Sequence, residues 1–175
     1  MANNQLLEQY RATRKINDVK FLKLVQNPFL FNLFLIAKLP MGFIARLKAK
    51  KVTHEECQIT VPYRWINQNP FNSTYFAVLS MAAEMSTGML ALMFTRNSKP
   101  SVSMLVTHLE ADFVKKATGI TTFTCTDGKA INDLIEKAIL TGEPQSITTT
   151  SVGTSASGEV EARFKIEWSF RLRKG

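Results

Sequence analysis

The sequence predicts an α+β domain with the element order α-α-β-β-α-β-β-α-β-β. Three observations predict it. Residues 73–94, STYFAVLSMAAEMSTGMLALMF, are almost all apolar or small, with one carboxylate, Glu84, in the middle. A run of that length is a helix, buried on most sides. On either side of it the pattern alternates with a period of two, which marks half-buried strands. Ahead of the strands, residues 3–40 keep helical spacing.

The two N-terminal helices follow from Leu6, Leu7 and Tyr10, then Val19, Phe21, Leu22 and Val25, and then the apolar stretch after Asn27-Pro28. Asn27 suits an N-cap and Pro28 a first helical turn. Pro40 and Gly42 are expected to end the second helix. From Phe43 the alternation Phe43, Ala45, Leu47, Ala49 predicts a strand, paired through the turn at residues 53–56 with a second strand over Cys57, Ile59 and Val61. Pro62 marks either the end of that strand or an edge position. Beyond the central helix, strands are expected at 101–115 and 120–126, with Gly119 as the positive-φ residue between them. Ile131, Leu134, Ile135, Ala138 and Ile139 give an amphipathic helix over 127–140, and strands follow at 145–154 and 159–173.

The chain has 175 residues, 45% hydrophobic and 21% charged, enough for one domain with its own core. A net charge of +8 points to an anionic partner. Nucleic acid is not expected, because the charge is spread and no binding motif is present. The two cysteines, Cys57 and Cys125, form no CxxC, and no apolar signal core follows the N-terminal charges. A reduced, cytoplasmic protein is the expectation. His54 and His108 sit in no ligand spacing, so no metal site is expected. Residues 73–94 are long enough to span a bilayer, but Glu84 would lie at its centre, so a core helix is the expectation. The basic residues of the N-terminal helices suit a solvated face or, as the sharper reading, contact with a membrane surface.

Several segments carry a resemblance. Asn69, Tyr75-Phe76-Ala77 and Ala83-Glu84 resemble the loop and helix of PaaI-like acyl-CoA thioesterases, where Asn-x-x-Gly-x-x-His-Gly-Gly precedes an acidic residue nine positions after the histidine. Glu84 is nine after Tyr75. Residues 111–119, ADFVKKATG, look like the family's strand and turn, and Glu159–Arg163 like its penultimate strand. Pro62-Tyr63-Arg64 before Asn69, with Ala82-Ala83-Glu84 inside the helix, is similar to the branch called DUF4442. The resemblance covers about residues 42–171. It implies a hotdog fold, in which an antiparallel sheet wraps a long central helix. Residues 1–41 would be an N-terminal helical extension packed on a hotdog domain of residues 42–175.

The resemblance also implies an activity and a site. Glu84 would be the nucleophile or general base that hydrolyses an acyl-CoA, with Asn69 positioning water or carbonyl. Tyr75, Phe76, Ser80 and Thr87 would line the substrate site. Lys115 and Lys116 would meet the phosphates of coenzyme A, which enters as part of the substrate; no other cofactor is implied. The site would form in a homodimer or a dimer of dimers. Tyr75 replaces the family's histidine and Phe76-Ala77 its Gly-Gly, so a non-catalytic acyl- or lipid-binding protein is the alternative. From the residues themselves, Ala77, Ser80, Glu84, Thr87, Gly88 and Ala91 share one small or polar helical stripe with room for a ligand. Ser80 and Thr87, one turn either side of Glu84, are placed to hydrogen-bond its carboxylate, and burial would raise its pKa. Alternatively Glu84 is a satisfied buried polar group at a dimer interface, partnered by Arg64 or a backbone N–H.

Overall fold

The computed structural model describes residues 2–173; Met1, Lys174 and Gly175, at the ends of the two expected segments, lie outside the described residues. Helix α1 (Ala2–Gln26) meets α2 (Pro28–Lys38) at a sharp bend of 98°. Asn27 caps α2 as its position predicts, its side-chain oxygen accepting from the amides of Phe29 (3.0 Å) and Leu30 (3.2 Å).

The strand expected from Phe43 does not begin there. Residues Pro40–Ile44 form a short helix, α3, and only Lys48–Val52 are strand, β1. Helix α2 ends at Lys38, just before Pro40 as expected, and Pro40 also starts α3, because its missing N–H and fixed φ cost nothing at the first helical position. Arg46, at φ 59, then turns the chain into β1.

The remaining elements are β2 (Cys57–Pro62), α4 (Phe76–Thr95), β3 (Val102–Phe113), β4 (Ile120–Cys125), α5 (Gly128–Thr141), β5 (Gln145–Thr154) and β6 (Val160–Leu172). The strands form one antiparallel sheet in the order β1-β2-β4-β5-β6-β3. Among the described glycines, positive φ falls at Gly142 and Gly158, not at Gly119. The β3–β4 turn is held by the Tyr63 amide, which donates to the Gly119 carbonyl (2.8 Å), and needs no left-handed residue.

Helix α4 lies across the sheet, touching β2 through β6, with α1 and α5 also against it. This is the hotdog arrangement. It explains why α4 is apolar nearly all round: partners cover it on several sides. Phe123, Phe164, Phe170, Leu90 and Met93 are fully buried in the core; each such side chain contributes on the order of 1.5–3 kcal/mol. Phe76–Thr95 is long and apolar enough to cross a membrane, but 67% of its most apolar window is buried inside the protein.

Helix α1 is fastened by polar contacts as well. The Tyr10 hydroxyl donates to the Phe94 carbonyl (3.2 Å), and burial raises its pKa well above the ordinary value. Asp18 bonds Arg14 Nε and His54 Nε2, each at 3.0 Å, tying α1 to the β1–β2 turn.

Candidate functional site

The loop leading into α4 is fixed by side-chain amides. Asn67 is buried; its Nδ2 donates to the carbonyls of Ala45 and Pro62, both at 2.9 Å, and its own carbonyl accepts from the Tyr75 amide (2.7 Å). Asn69 Oδ1 accepts from the amides of Phe71 (3.0 Å) and Ser73 (3.2 Å), and its Nδ2 donates to Ser73 Oγ (3.0 Å). Asn72 adopts φ 58, a left-handed conformation that asparagine tolerates. Thr74 docks the loop on the β3–β4 turn, its amide and hydroxyl both donating to the Ala117 carbonyl at 2.8 and 3.1 Å.

Helix α4 starts with Tyr75 at the N-cap, where no side chain caps the helix. Among the described residues the amides of Phe76 and Ala77 find no backbone acceptor. Amides of a helix's first turn have no intrahelical acceptor and are open to an external one. Next to them lies a cleft of ≈ 340 Å³ lined by Asn69, Phe76, Phe113, Lys115 and Lys116. Residues far apart in sequence thus line one cleft. An aromatic ladder backs the cleft: Tyr75 on Phe76 (4.9 Å between ring centroids), Phe76 on Phe113 (6.2 Å) and Phe113 on Phe164 (5.7 Å). Lys115 pairs with Glu159 at 2.6 Å, which lowers the Glu159 pKa, and Lys116 donates to the Phe71 carbonyl at 3.1 Å.

Glu84 lies eight residues further along α4 than Phe76, about 12 Å down the helix axis. It is half-buried. Desolvation raises its pKa above the ordinary carboxylate value of 4.5, and no charged or hydrogen-bonding neighbour offsets that shift. The bonds expected from Ser80 and Thr87 to this carboxylate are not formed. Ser80 Oγ donates to the Phe76 carbonyl (2.9 Å); Thr87 Oγ1 donates to the Glu84 backbone carbonyl (3.0 Å) and accepts from Trp168 Nε1 (2.9 Å). Inside a helix these hydroxyls reach the preceding turn's carbonyls more readily than a neighbouring side chain. Arg64 is not the partner of Glu84 either; it lines a separate groove with Trp65. Gly88 makes room for the carboxylate: a Cβ there would stand 3.0 Å from Glu84 Oε1 and 3.2 Å from the Trp168 ring.

Trp168, Phe113 and Asn67 belong to this region and were not predicted. Trp168 reads in sequence only as a member of an alternating strand, and Phe113 as part of the strand-and-turn segment at residues 111–119. Asn67 lies in the asparagine-rich stretch Asn67-Gln68-Asn69, whose polar composition gives no sign that its first member is buried. His108 is exposed on β3. Cys57 and Cys125 are buried opposite one another on β2 and β4, and burial pushes the Cys125 thiol up to about 12. Among the described residues no cluster of three or more His, Cys, Asp or Glu side chains is placed to hold a metal.

The family model described as "Domain of unknown function (DUF4442)" matches residues 29–170. A solved protein of Pseudomonas aeruginosa, of unknown function and titled a probable thioesterase, is 20% identical, with a TM-score of 0.69 over 84% of this chain and 97% of its own. A thioesterase of Haemophilus influenzae is 9% identical, with a TM-score of 0.61 over 83% of this chain and 91% of its own. A second Pseudomonas aeruginosa protein, a thioesterase carrying a Gln-to-Ala substitution, is 12% identical, with a TM-score of 0.63 over 81% and 92%. At these identities the likeness is one of fold. No curated protein matches the chain.

Proposed function

We propose, from the premise that this chain belongs to the DUF4442 family, that it hydrolyses an acyl thioester with Glu84 as its reacting carboxylate. The observation that carries the reading is the carboxylate itself. Glu84 sits on the central helix of a hotdog fold without a counter-charge, and burial raises its pKa toward the range a base needs near neutrality. A buried acid without a partner costs stability that a purely structural role would not repay.

Two routes fit. In one, the Glu84 carboxylate attacks the thioester carbonyl, the C–S bond breaks, and the thiolate leaves to be protonated; water then hydrolyses the mixed anhydride. In the other, Glu84 takes a proton from water, the hydroxide attacks, and that proton passes to the departing thiolate. Both consume one water and release a carboxylic acid and a thiol. Within one copy the free amides at the start of α4 lie about 12 Å along the helix from Glu84. Those of one copy suit the carbonyl oxygen, since helix N-termini favour developing negative charge, while Glu84 comes from the second copy. Tyr75 and Phe76 supply apolar wall, and Lys115 and Lys116 suit the phosphates of coenzyme A as the acyl carrier. Asn69 acts by shaping the loop, as its amide is occupied there.

The site is completed by a second copy in this reading. β3 is an outer strand of the sheet, and its outward Leu105, Leu109 and Phe113 are 66%, 42% and 51% exposed. A homodimer through this edge would cover them. The cytoplasm, with its reduced thiols, suits buried unpaired cysteines.

Turnover of acyl-CoAs of graded chain length, followed by release of free thiol, tests the proposal. Thiol release that disappears in Glu84→Ala is expected. No release from any acyl chain, with acyl-CoA retained by the purified protein, would give the site to a non-catalytic acyl-binding protein instead. The bulky Tyr75-Phe76 pair at the helix start favours that second reading.

A further inference from the structure

Helix α2 is apolar on opposite faces, yet it lies on the surface. Phe31 and Leu35 face the core at 2% and 0% exposure. Phe29, Leu33 and Ile36, spaced by four and three residues, form the outward stripe and are 69%, 48% and 50% exposed. Solvent-facing helix surfaces are ordinarily polar, and an apolar stripe of this size marks a contact surface. A groove of ≈ 780 Å³ runs between α2 and the loop before α4, and its walls include Arg46, Lys48, Arg64 and Trp65, the last 81% exposed. Residues 19–54 hold seven lysines and arginines and no aspartate or glutamate.

We propose that this face docks on an anionic lipid bilayer. Phe29, Leu33 and Ile36 enter the boundary between headgroups and acyl chains, as the apolar face of an interfacial helix does. Trp65 sits at the headgroup level, where an amphipathic ring is favoured. Arg46, Lys48 and Arg64 meet lipid phosphates, and the acid-free stretch around them strengthens that attraction. A second copy of this chain fits the face poorly. A two-fold contact would set Arg46, Lys48 and Arg64 near their own counterparts, and like charges across an interface repel. An acidic protein partner would satisfy the cations but give the outward stripe of α2 no role. The bilayer satisfies both at once.

Co-sedimentation of the full chain with phosphatidylcholine vesicles, with and without phosphatidylglycerol, tests this without any thioester present. Its outcome is therefore independent of the activity proposed for Glu84. The chain is expected to pellet with the anionic vesicles, and to be released as salt rises. Leu33→Ser with Ile36→Ser should weaken partitioning at least tenfold, while Arg46→Gln and Arg64→Gln should each weaken it roughly fivefold. All four positions are at the surface, so circular dichroism should match the unsubstituted chain. Several results would overturn the proposal. The chain stays in the supernatant of anionic vesicles; it binds both compositions equally; or either set of substitutions leaves binding unchanged. A chain that ignores vesicles, but passes from dimer to monomer in Leu33→Ser with Ile36→Ser, gives the face to a second copy. One that ignores vesicles but retains an acidic acyl carrier protein gives it to that partner.

Discussion

Asp18 on α1 and Glu84 on α4 are both carboxylates withdrawn from solvent, and they are held in opposite ways. Asp18 is 4% exposed and accepts from Arg14 and His54, two groups able to carry positive charge. Glu84 has no such partner, and burial alone sets its pKa shift. The first arrangement clamps two elements together through Asp18 Oδ2, while its Oδ1 is buried with no hydrogen-bond partner among the described residues. The second leaves the acid without a charged or hydrogen-bonded partner, with its pKa raised by burial, which suits proton transfer better than fastening. The difference separates a structural acid from the candidate catalytic one, and each half of it can be broken separately.

The largest expected effect is on Glu84. Glu84→Gln keeps the shape of the side chain and should lower kcat/KM for an acyl-CoA by about 10²–10⁴, without lowering the melting temperature. A variant that unfolds early would make Glu84 a structural acid like Asp18. The next effect belongs to the Asp18 side. A Cβ added in Gly128→Ala would stand 2.1 Å from the His54 backbone carbonyl, so the turn that presents His54 to Asp18 must move. Urea unfolding should report a loss of about 3 kcal/mol, the upper part of the range for overpacking. Asp18→Ala should be milder, at about 1–3 kcal/mol for the donors it strands, and should leave turnover per folded molecule unchanged. Reduced turnover there would mean that the two acids are not independent.

The smallest effect is in the pH dependence of stability. Above its raised folded-state pKa, Glu84 is ionised both folded and unfolded, and the unfolded chain solvates the charge better. The unsubstituted protein is then less stable than Glu84→Gln. Lowering the pH through the folded-state pKa returns that stability, and the recovery is complete below the ordinary value of 4.5. Melting curves of both proteins, from neutrality to below that value, should therefore converge as pH falls. Parallel curves would sink the claim that Glu84 is buried without compensation.

Periodicity carried most of this fold. The run around Glu84, the stripe of α5 and the alternating strands were each legible because their neighbours in sequence are their neighbours in structure. Residues 43–47 misled for the same reason: Phe43, Ala45 and Leu47 alternate like a strand, while the chain geometry follows Pro40 and Arg46. At the site, the family resemblance singled out Asn69, Phe76, Lys115 and Lys116, and all four line one cleft. It could not show that Trp168 would take the Thr87 hydroxyl, or that His54 would meet Asp18, since both contacts cross between elements distant in sequence. Nor could it show which way α2 faces, because its inward Phe31 and Leu35 and its outward Phe29 and Leu33 are equally apolar.

The pH profile of kcat/KM for an acyl-CoA, measured by product formation in the unsubstituted protein and in Glu84→Gln, tests the central claim most directly. An acid limb displaced upward from 4.5, present in the first and absent from any residual activity of the second, is the predicted result. A limb at the ordinary carboxylate value, or the same limb in both proteins, would contradict it.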